Sequence, residues 1–448
     1  MHLTTRLAAV YARPFVRQSF VYLSGNVANA VLPLLMIPIL TRYLSPDDYG
    51  VVGTATVLVQ FLAVAIGLNA SGLIVGSEFL GDSNAQRRLV STNMILSAGI
   101  TVCLAAIALG GGHVVEQLTK FPGRWAPALV FLAGAGVVQA TYMALLQARN
   151  KAATFVSLQV LATITNLGFS LFLVMGGMGW RGRILGMVLS VGLVAGISLH
   201  GMVRRLAVVG PVLDQASVRT LMAFGVPLVP HFIGGWIMTL APRLYLNHLA
   251  TIADTGLYSV GIAVASAVAL LVGAANQAYM PELFRRLSRP EGHDRLRLAR
   301  VLLAAAGALP LLAVGYGLGA RWLLPWIVGP RFYNASPYVT WLALAFAMQG
   351  VYFIFGNFVV YSKRTSLMAW RTDFLGGLVM LAATPLLIWL SGPIGAAQAT
   401  CLGFAVSCAG CITASRIAYP MPWSAAAVSL LRGAGSARLA VAPQATVD

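Results

Sequence analysis

Polar side chains that could recognise a ligand are scattered through long apolar stretches of this sequence. Their exposure to lipid is unfavourable, so they should face protein or water. Amides suit the hydroxyl groups of sugars, but they also join helices, so each could line a lumen or serve helix packing. The candidate binding residues are Asn26, Asn29, Arg42, Asn69, His231, Arg243, Asn276, Gln277 and Asn357. Further amides in the same setting are Gln60, Gln139, Gln147, Asn166 and Gln349.

Two of these candidates are cations at the ends of apolar stretches. Arg42 and Arg243 could meet an anionic group such as a diphosphate. Arg243 could equally extend to the membrane interface, as long basic side chains near helix ends do. His231 lies deeper in its stretch, where a histidine more often makes a bond between helices than binds a ligand.

The apolar stretches that carry these groups predict membrane-spanning helices. Of the 448 residues, 58% are hydrophobic and 9% charged, with a mean hydropathy of +0.81, whereas soluble domains carry roughly 25% charged residues. Runs of about 20 apolar residues recur, which is the length a helix needs to cross the hydrocarbon core. We therefore predict an all-α polytopic membrane protein with about 12 transmembrane helices in two pseudo-symmetric six-helix bundles.

The basic residues predict the topology. Alternate loops on one side of the predicted membrane hold nearly three times as many Lys and Arg residues as those on the other side, and the richer side is cytoplasmic by the positive-inside rule. This accounts for the net charge of +18 better than nucleic-acid binding, since no basic patch with interleaved aromatics is present. The predicted segments are a cytoplasmic interfacial segment 1–17, an N-terminal bundle 18–205, a cytoplasmic linker 206–220, a C-terminal bundle 221–415 and a loose cytoplasmic tail 416–448.

The two halves open on stretches of related pattern. Residues 33–64 contain an apolar run, a polar elbow with Asp47 and Asp48, a tyrosine beside small residues and a second apolar run; residues 241–269 repeat this order around Asp254. Prolines predict breaks in the first and seventh spans, at Pro33, Pro38, Pro227, Pro230 and Pro242. Corresponding broken helices in two halves point to a transport pathway, although proline also simply kinks membrane helices.

Several kinds of chemistry find no support in the sequence. It lacks the phosphate-binding, zinc-protease and nucleophile-elbow motifs, so we predict neither an enzyme nor a cofactor or metal site. Its acids fall in loops, at span ends or at the C-terminus, whereas a carboxylate in the middle of the membrane usually carries the proton, ion or cationic drug of an exporter. Cys408 and Cys411 form a C-x-x-C inside an apolar run, and we expect buried small residues rather than a redox pair.

Four segments resemble a known family. They read PILTRYLSPDDYGVVG, LLQARNKAATF, FGVPLVPHFIGGWIMTLAPRLYLNHLATIADTGLYSVG and QAYMPELFRRL, and they are similar to polysaccharide repeat-unit flippases of the Wzx type, in the multidrug/oligosaccharidyl-lipid/polysaccharide exporter superfamily. The resemblance implies alternating access by two six-helix bundles around a central cavity. Members often carry an Asp before the Arg late in the seventh span, whereas Pro242 precedes Arg243 here, so a local ion pair is lost.

The resulting hypothesis is a flippase of undecaprenyl-diphosphate-linked oligosaccharides in the bacterial inner membrane, for O-antigen or exopolysaccharide synthesis. Its partners would be the lipid-linked oligosaccharide, membrane lipid, and polysaccharide polymerase and chain-length regulator proteins. A multidrug or small-metabolite exporter of the same fold is the alternative. A membrane enzyme of glycan assembly fits less well, because the predicted outer loops are short.

Overall fold

The computed structural model describes residues 36–68, 70–78, 82–205, 212–225, 229–288, 293–362, 364 and 366–431. Within these ranges the chain forms helices joined by short connections and contains no strand. A helix satisfies its own backbone N–H and C=O groups, as a chain in hydrocarbon must. The predicted all-α architecture is confirmed.

The described part of the chain before residue 206 begins with a helical segment, α1, over residues 36–43. The helices that follow are α2 (Pro46–Gly67), α3 (Ser71–Glu78), α4 (Ser83–Thr119), α5 (Ala126–Ala148), α6 (Ala152–Leu173) and α7 (Gly179–His200). A short π-helical segment, Val174–Met178, joins α6 to α7, and Gly177 within it has a φ of 84°. Glycine adopts this left-handed conformation without strain, which allows a tight reversal between the two helices.

The later part of the chain continues in the same way. Its helices are α8 (Gln215–Gly225), α9 (Val229–Leu249), α10 (Ile252–Leu287), α11 (His293–Ile327), α12 (Ser336–Tyr361), α13 (Leu375–Ser391), α14 (Gly395–Ala418) and α15 (Trp423–Leu431). A helical turn, Ser366–Ala369, and a π-helical segment, Trp370–Phe374, lead into α13.

The membrane-spanning character is borne out by helix length and composition. Eight helical stretches of the described residues are long and apolar enough to cross a membrane. Two of them, Ala152–Arg204 and Arg371–Ala418, each contain two of the helices above in succession. The predicted first span enters the described ranges only at residue 36, and the predicted seventh span corresponds to α9.

The prolines of the described helices do not interrupt them. Helix α9 is continuous from Val229 to Leu249 and includes Pro242 in its interior, so the break predicted at Pro242 is wrong. Pro38 and Pro230 also lie in helical residues, while Pro33 and Pro227 fall outside the described ranges. A membrane helix tolerates proline because neighbouring groups can satisfy the carbonyl that loses its partner.

The chain divides into two compact units. The first comprises Met1–Ala263 and Leu324–Ala335, and the second comprises Val264–Leu323 and Ser336–Asp448. The core of the first unit includes Ile66, Val90, Leu145 and Val194. That of the second includes Leu283, Phe358 and Cys411. The limits 18–205 and 221–415, given above for two bundles, stay predictions.

Two further expectations concern the end of the chain. The tail predicted to be loose from residue 416 is helical in α15, and Trp423 is buried against Phe355 and Phe358 at ring-centroid distances of 5.1 and 5.4 Å. A buried aromatic anchor holds this stretch, so the expectation was wrong there; residues 1–17 and 432–448 lie outside the described ranges. Cys408 and Cys411 are free thiols in the core of the second unit, as predicted.

Candidate functional site

The first polar elbow folds as a capped helix start. The Ser45 hydroxyl accepts a hydrogen bond from the Asp48 backbone N–H at 3.1 Å. The Asp48 carboxylate accepts in return from the Ser45 N–H at 3.0 Å and from the Ser45 hydroxyl at 2.9 Å. This reciprocal capping box fixes the residue at which α2 begins. The Trp180 backbone N–H donates to Asp48 at 3.3 Å, which attaches the elbow to the start of α7.

The second elbow forms the same box at the start of α10. The Thr251 hydroxyl accepts from the Asp254 N–H at 3.1 Å. The Asp254 carboxylate accepts from the Thr251 N–H at 3.2 Å and from its hydroxyl at 2.6 Å. Ser45 therefore corresponds to Thr251, and Asp48 to Asp254. The related pattern of the two stretches in the sequence has a structural counterpart in these equivalent hydrogen bonds.

The two elbows pack against each other through glycines of the first unit. A Cβ atom on Gly50 would overlap the Ile252 carbonyl oxygen, and a Cβ atom on Gly256 would overlap the Pro46 carbonyl oxygen. Gly50 corresponds to Gly256 in the aligned elbows, as Pro46 does to Ile252, so the contact is reciprocal. Small residues permit this close approach of two helix backbones.

Arg243 is buried beside the packed elbows, with 6% of its surface exposed. Its Nη1 donates to the Thr239 carbonyl at 2.6 Å, and its guanidinium carbon lies 5.5 Å from the centroid of the Tyr258 ring. A Cβ atom on Gly53 would come within 3.8 Å of the Arg243 Nε, and that Nε has no hydrogen-bond partner in the described part of the chain. The contacts of this buried cation are thus a carbonyl and an aromatic face.

Asn247, one turn after Arg243, is the hydrogen-bonding centre of this region. Its Nδ2 donates to Thr54 Oγ1 at 3.2 Å and to the Thr119 carbonyl at 2.8 Å. The Thr255 hydroxyl donates to its Oδ1 at 2.6 Å. One buried amide therefore joins α9 to α2, α4 and α10. The sequence interpretation missed Asn247; its only signal was an amide one helical turn from a candidate arginine.

A second arginine without an acidic partner lies on α7. Arg183 Nη1 donates to Asn166 Oδ1 at 2.6 Å and to Ser170 Oγ at 2.5 Å, both on α6. Among the described residues, no carboxylate pairs with Arg183, and its titratable neighbour is Tyr49, a phenol that is neutral near pH 7. The sequence interpretation counted Arg183 only as a loop charge and missed its place between two helices.

A cavity of about 320 Å³ opens beside Arg183 within the first unit. Its polar lining comprises Gln139, Thr163, Asn166, Arg183 and Ser190. Two of the amides that the sequence marked, Gln139 and Asn166, are therefore brought together with a cation. This is a polar chamber bounded by helices α1, α5, α6 and α7.

The second unit pairs two of the predicted candidates. Asn357, with 5% of its surface exposed, donates from Nδ2 to Asn276 Oδ1 at 2.8 Å. Gln277, the next residue along α10, is exposed. The Asn276–Asn357 bond joins α10 to α12, so these amides serve helix packing in this structure.

The other predicted candidates are placed as follows. Arg42 is exposed at the end of α1, next to the first elbow. Asn26, Asn29 and Asn69 fall outside the described residues, as does the side chain of His231. No group of three or more His, Cys, Asp or Glu residues in the described ranges could hold a metal ion.

Two solved structures share this helix arrangement. An inward-facing multidrug resistance MATE family transporter of the MOP superfamily superposes with a TM-score of 0.63 at 14% identity, over 92% of this chain and 99% of that chain. The lipid II flippase MurJ in an inward closed conformation gives a TM-score of 0.63 at 13% identity, over 89% and 87%. The chain has the MOP superfamily fold, and at these identities the likeness shows the fold alone.

The family follows from the sequence itself. The model of the family described as polysaccharide biosynthesis protein matches residues 15–286, more than half of the chain, and the protein belongs to this polysaccharide biosynthesis protein family. Among its relatives in Haemophilus influenzae, Lsg locus putative protein 1 is 21% identical over 363 residues, covering 79% of this chain and 86% of the relative. An uncharacterized membrane protein of the same organism is 22% identical over 364 residues, covering 78% and 85%. The resemblance to polysaccharide flippases of the MOP superfamily is thereby confirmed.

Proposed function

We propose that the protein moves oligosaccharide repeat units, linked to undecaprenyl diphosphate, from the cytoplasmic to the periplasmic leaflet of the bacterial inner membrane. It works by alternating access, performs no covalent chemistry, and serves O-antigen or exopolysaccharide synthesis. Both termini lie in the cytoplasm, and polysaccharide polymerase and chain-length regulator proteins receive or control its product. Membership of a polysaccharide biosynthesis family and the fold shared with a lipid II flippase support this assignment.

The observation that carries the proposal is the pair of arginines, Arg183 and Arg243, that lie among helices without a carboxylate partner in the described residues. A cation held in this way is unfavourable unless another group offsets its charge. A diphosphate on the cargo carries the complementary charge, and arginine binds phosphate oxygens with two parallel hydrogen bonds. Two such arginines therefore favour an anionic cargo over a cationic one.

The likeness to a multidrug transporter keeps a second candidate function in view. An exporter of cationic compounds usually needs a carboxylate in the membrane interior. Asp48 and Asp254 instead cap helix starts, and Glu282 pairs with Arg286 at 2.7 Å near the end of α10. These three acids are thus committed to helix caps and a surface ion pair, which favours the oligosaccharide flippase.

The test is a deletion strain of the source bacterium. We expect lipid-linked repeat units to accumulate on the cytoplasmic leaflet and surface polysaccharide to be lost, and both effects to be reversed by the wild-type chain. A strain lacking the polymerase serves as the control, since its repeat units should reach the periplasmic leaflet. Normal surface polysaccharide in the deletion strain would contradict the proposal, and resistance to cationic dyes on overexpression would favour the multidrug exporter.

A further inference from the structure

We propose that the cavity beside Arg183 is a binding subsite for an oxyanion, either a phosphate or a carboxylate carried on a sugar. If the oxyanion belongs to the transported cargo, the subsite is part of the proposed function and rests on it. Oxyanion binding in the cavity does not itself depend on that function.

The first step concerns the charge of Arg183. A guanidinium has five N–H donors in a fixed planar fork and no acceptor. Nη1 is committed to two neutral oxygens, Asn166 Oδ1 and Ser170 Oγ, and no described carboxylate offsets the positive charge. These two bonds hold the guanidinium in one orientation without neutralising its positive charge. An oxyanion is the ligand class that supplies both the missing charge and acceptors for paired N–H donors.

The second step concerns the lining of the cavity. Gln139 lines it from α5, and its amide carries two N–H donors and a carbonyl acceptor that suit a polar ligand. The hydroxyl of Thr163 donates to the Gln159 carbonyl at 3.0 Å, and that of Ser190 donates to the Ala162 carbonyl at 3.1 Å. The Ser190 oxygen also lies 2.7 Å from the Thr165 hydroxyl oxygen, so these hydroxyls are bonded within the helix pair. The charged guanidinium and the Gln139 amide on the cavity wall suit an anionic group on a hydroxylated ligand.

The third step concerns size. The volume of about 320 Å³ lies at the lower end of the range of about 300–1,000 Å³ for small-molecule pockets. The chamber can therefore accept one phosphate group or one acidic sugar residue, and it is too small for a whole repeat unit.

A purely structural role for Arg183 predicts something different. If Arg183 served only to join α6 to α7, it would need only the bonds to Asn166 and Ser170. Filling the cavity beside it would then leave function unchanged. Ala162→Leu places a larger side chain on the cavity wall and leaves Arg183 unchanged. Arg181, two residues earlier on α7, is exposed and lies 5.7 Å from the Trp180 ring centroid, so Arg181→Gln is a matched loss of charge outside the cavity.

The binding test uses the full-length protein in lipid nanodiscs, with inorganic phosphate, glucuronate and neutral glucose as probes and calorimetry as the readout. We expect wild type and Arg181→Gln to bind an oxyanion probe better than glucose. Arg183→Gln and Ala162→Leu should each weaken that binding by about tenfold or more, as the loss of a charge-assisted contact does. Binding of phosphate alone would identify a phosphate subsite, and binding of glucuronate alone an acidic-sugar subsite.

Two results would overturn the proposal: equal oxyanion binding by Arg183→Gln, Ala162→Leu and wild type, or no oxyanion binding by wild type up to about 10 mM, where affinity becomes negligible. If Arg183→Gln fails to fold, Ala162→Leu alone decides between these outcomes.

A complementation arm separates failure of the subsite from failure of the proposed function. If wild type restores surface polysaccharide and both cavity variants do so equally well at equal protein level, the subsite proposal is wrong and the flippase stands. If wild type binds an oxyanion through Arg183 but deletion leaves polysaccharide unchanged, the subsite stands and the proposed function is wrong.

Discussion

Gly50 and Gly256 each lie against the backbone of the other's helix start, Gly50 at the Ile252 carbonyl and Gly256 at the Pro46 carbonyl. Gly256 also approaches the Gly50 backbone so closely that a Cβ atom on it would lie 3.1 Å from the Gly50 nitrogen. The contact therefore involves main chain on both sides, which cannot move aside as a flexible side chain can. Substitutions at these positions test the contact directly.

Gly256→Ala should lower the melting temperature of the purified protein, because its Cβ atom would overlap the Pro46 carbonyl oxygen. Overpacking of this kind costs about 1–3 kcal/mol. Gly273→Ala is the control on the same helix, since a Cβ atom there meets nothing within 4 Å. It should leave the melting temperature unchanged or raise it, because alanine favours a helix by up to about 1 kcal/mol over glycine. Identical thermal melts of the two variants would contradict the close contact.

The two capping boxes should differ in strength. Asp48→Ala removes the box at the start of α2 and also the acceptor for the Trp180 N–H, whereas Asp254→Ala removes only the exposed box at the start of α10. Loss of a cap costs about 1 kcal/mol, so we expect Asp48→Ala to destabilise more than Asp254→Ala. Hydrogen exchange in the first turns of α2, α7 and α10 measures this. Faster exchange in α10 than in α2 would reverse the expected order.

Asn247→Ala should destabilise the first unit more than any single surface change nearby. It leaves the Thr119 carbonyl and the hydroxyls of Thr54 and Thr255 without their buried partner, and an unsatisfied buried polar group costs about 1–3 kcal/mol. His248→Ala is the neighbouring control, because that exposed ring makes one bond, to the Leu118 carbonyl at 2.9 Å. Denaturant unfolding in detergent compares the two variants, and equal loss of stability would argue against Asn247 as the centre of the network.

Arg42→Ala should reduce surface polysaccharide without reducing the amount of protein in the membrane. Arg42 is exposed next to the first elbow, and on the predicted topology it faces the periplasm, where the diphosphate of the cargo arrives. Arg124→Ala removes another exposed arginine of the first unit and should leave the polysaccharide level unchanged. Unaltered polysaccharide in the Arg42→Ala strain at equal protein level would give the elbow a structural role alone.

The helical architecture could be predicted from sequence because hydrocarbon leaves the backbone few alternatives. The relation between the two elbows could be predicted as well, since Asp48 and Asp254 each follow an apolar run and precede a glycine. Their shared hydrogen bonds confirm that the resemblance reflects a common local fold. The tail differed because a single indole, Trp423, is buried by side chains of α12 that lie far away in the sequence.

The candidate site was harder to predict. A membrane helix is apolar on most of its surface, so the usual contrast between a polar and an apolar face does not indicate which way Arg183 or Asn247 points. In the sequence Arg183 lies just after the π-helical turn, between two apolar runs, so the pattern indicates a charged residue in a loop. The antiparallel packing of α6 and α7 brings it to Asn166 and Ser170. Whether Arg183 reaches Asn166 and Ser170 depends on the geometry of the reversal between α6 and α7. Residue spacing alone does not determine that geometry.

The reciprocal glycine contact also bears on how the chain arose. Equivalent residues that touch each other across corresponding positions form an isologous interface, the kind made by two copies of one polypeptide around a twofold axis. Gly50 and Gly256, with Pro46 and Ile252, have this relationship within a single chain. An ancestral protein of half the length could have made the same contact as a homodimer, and gene duplication with fusion would have preserved it as an intramolecular seam.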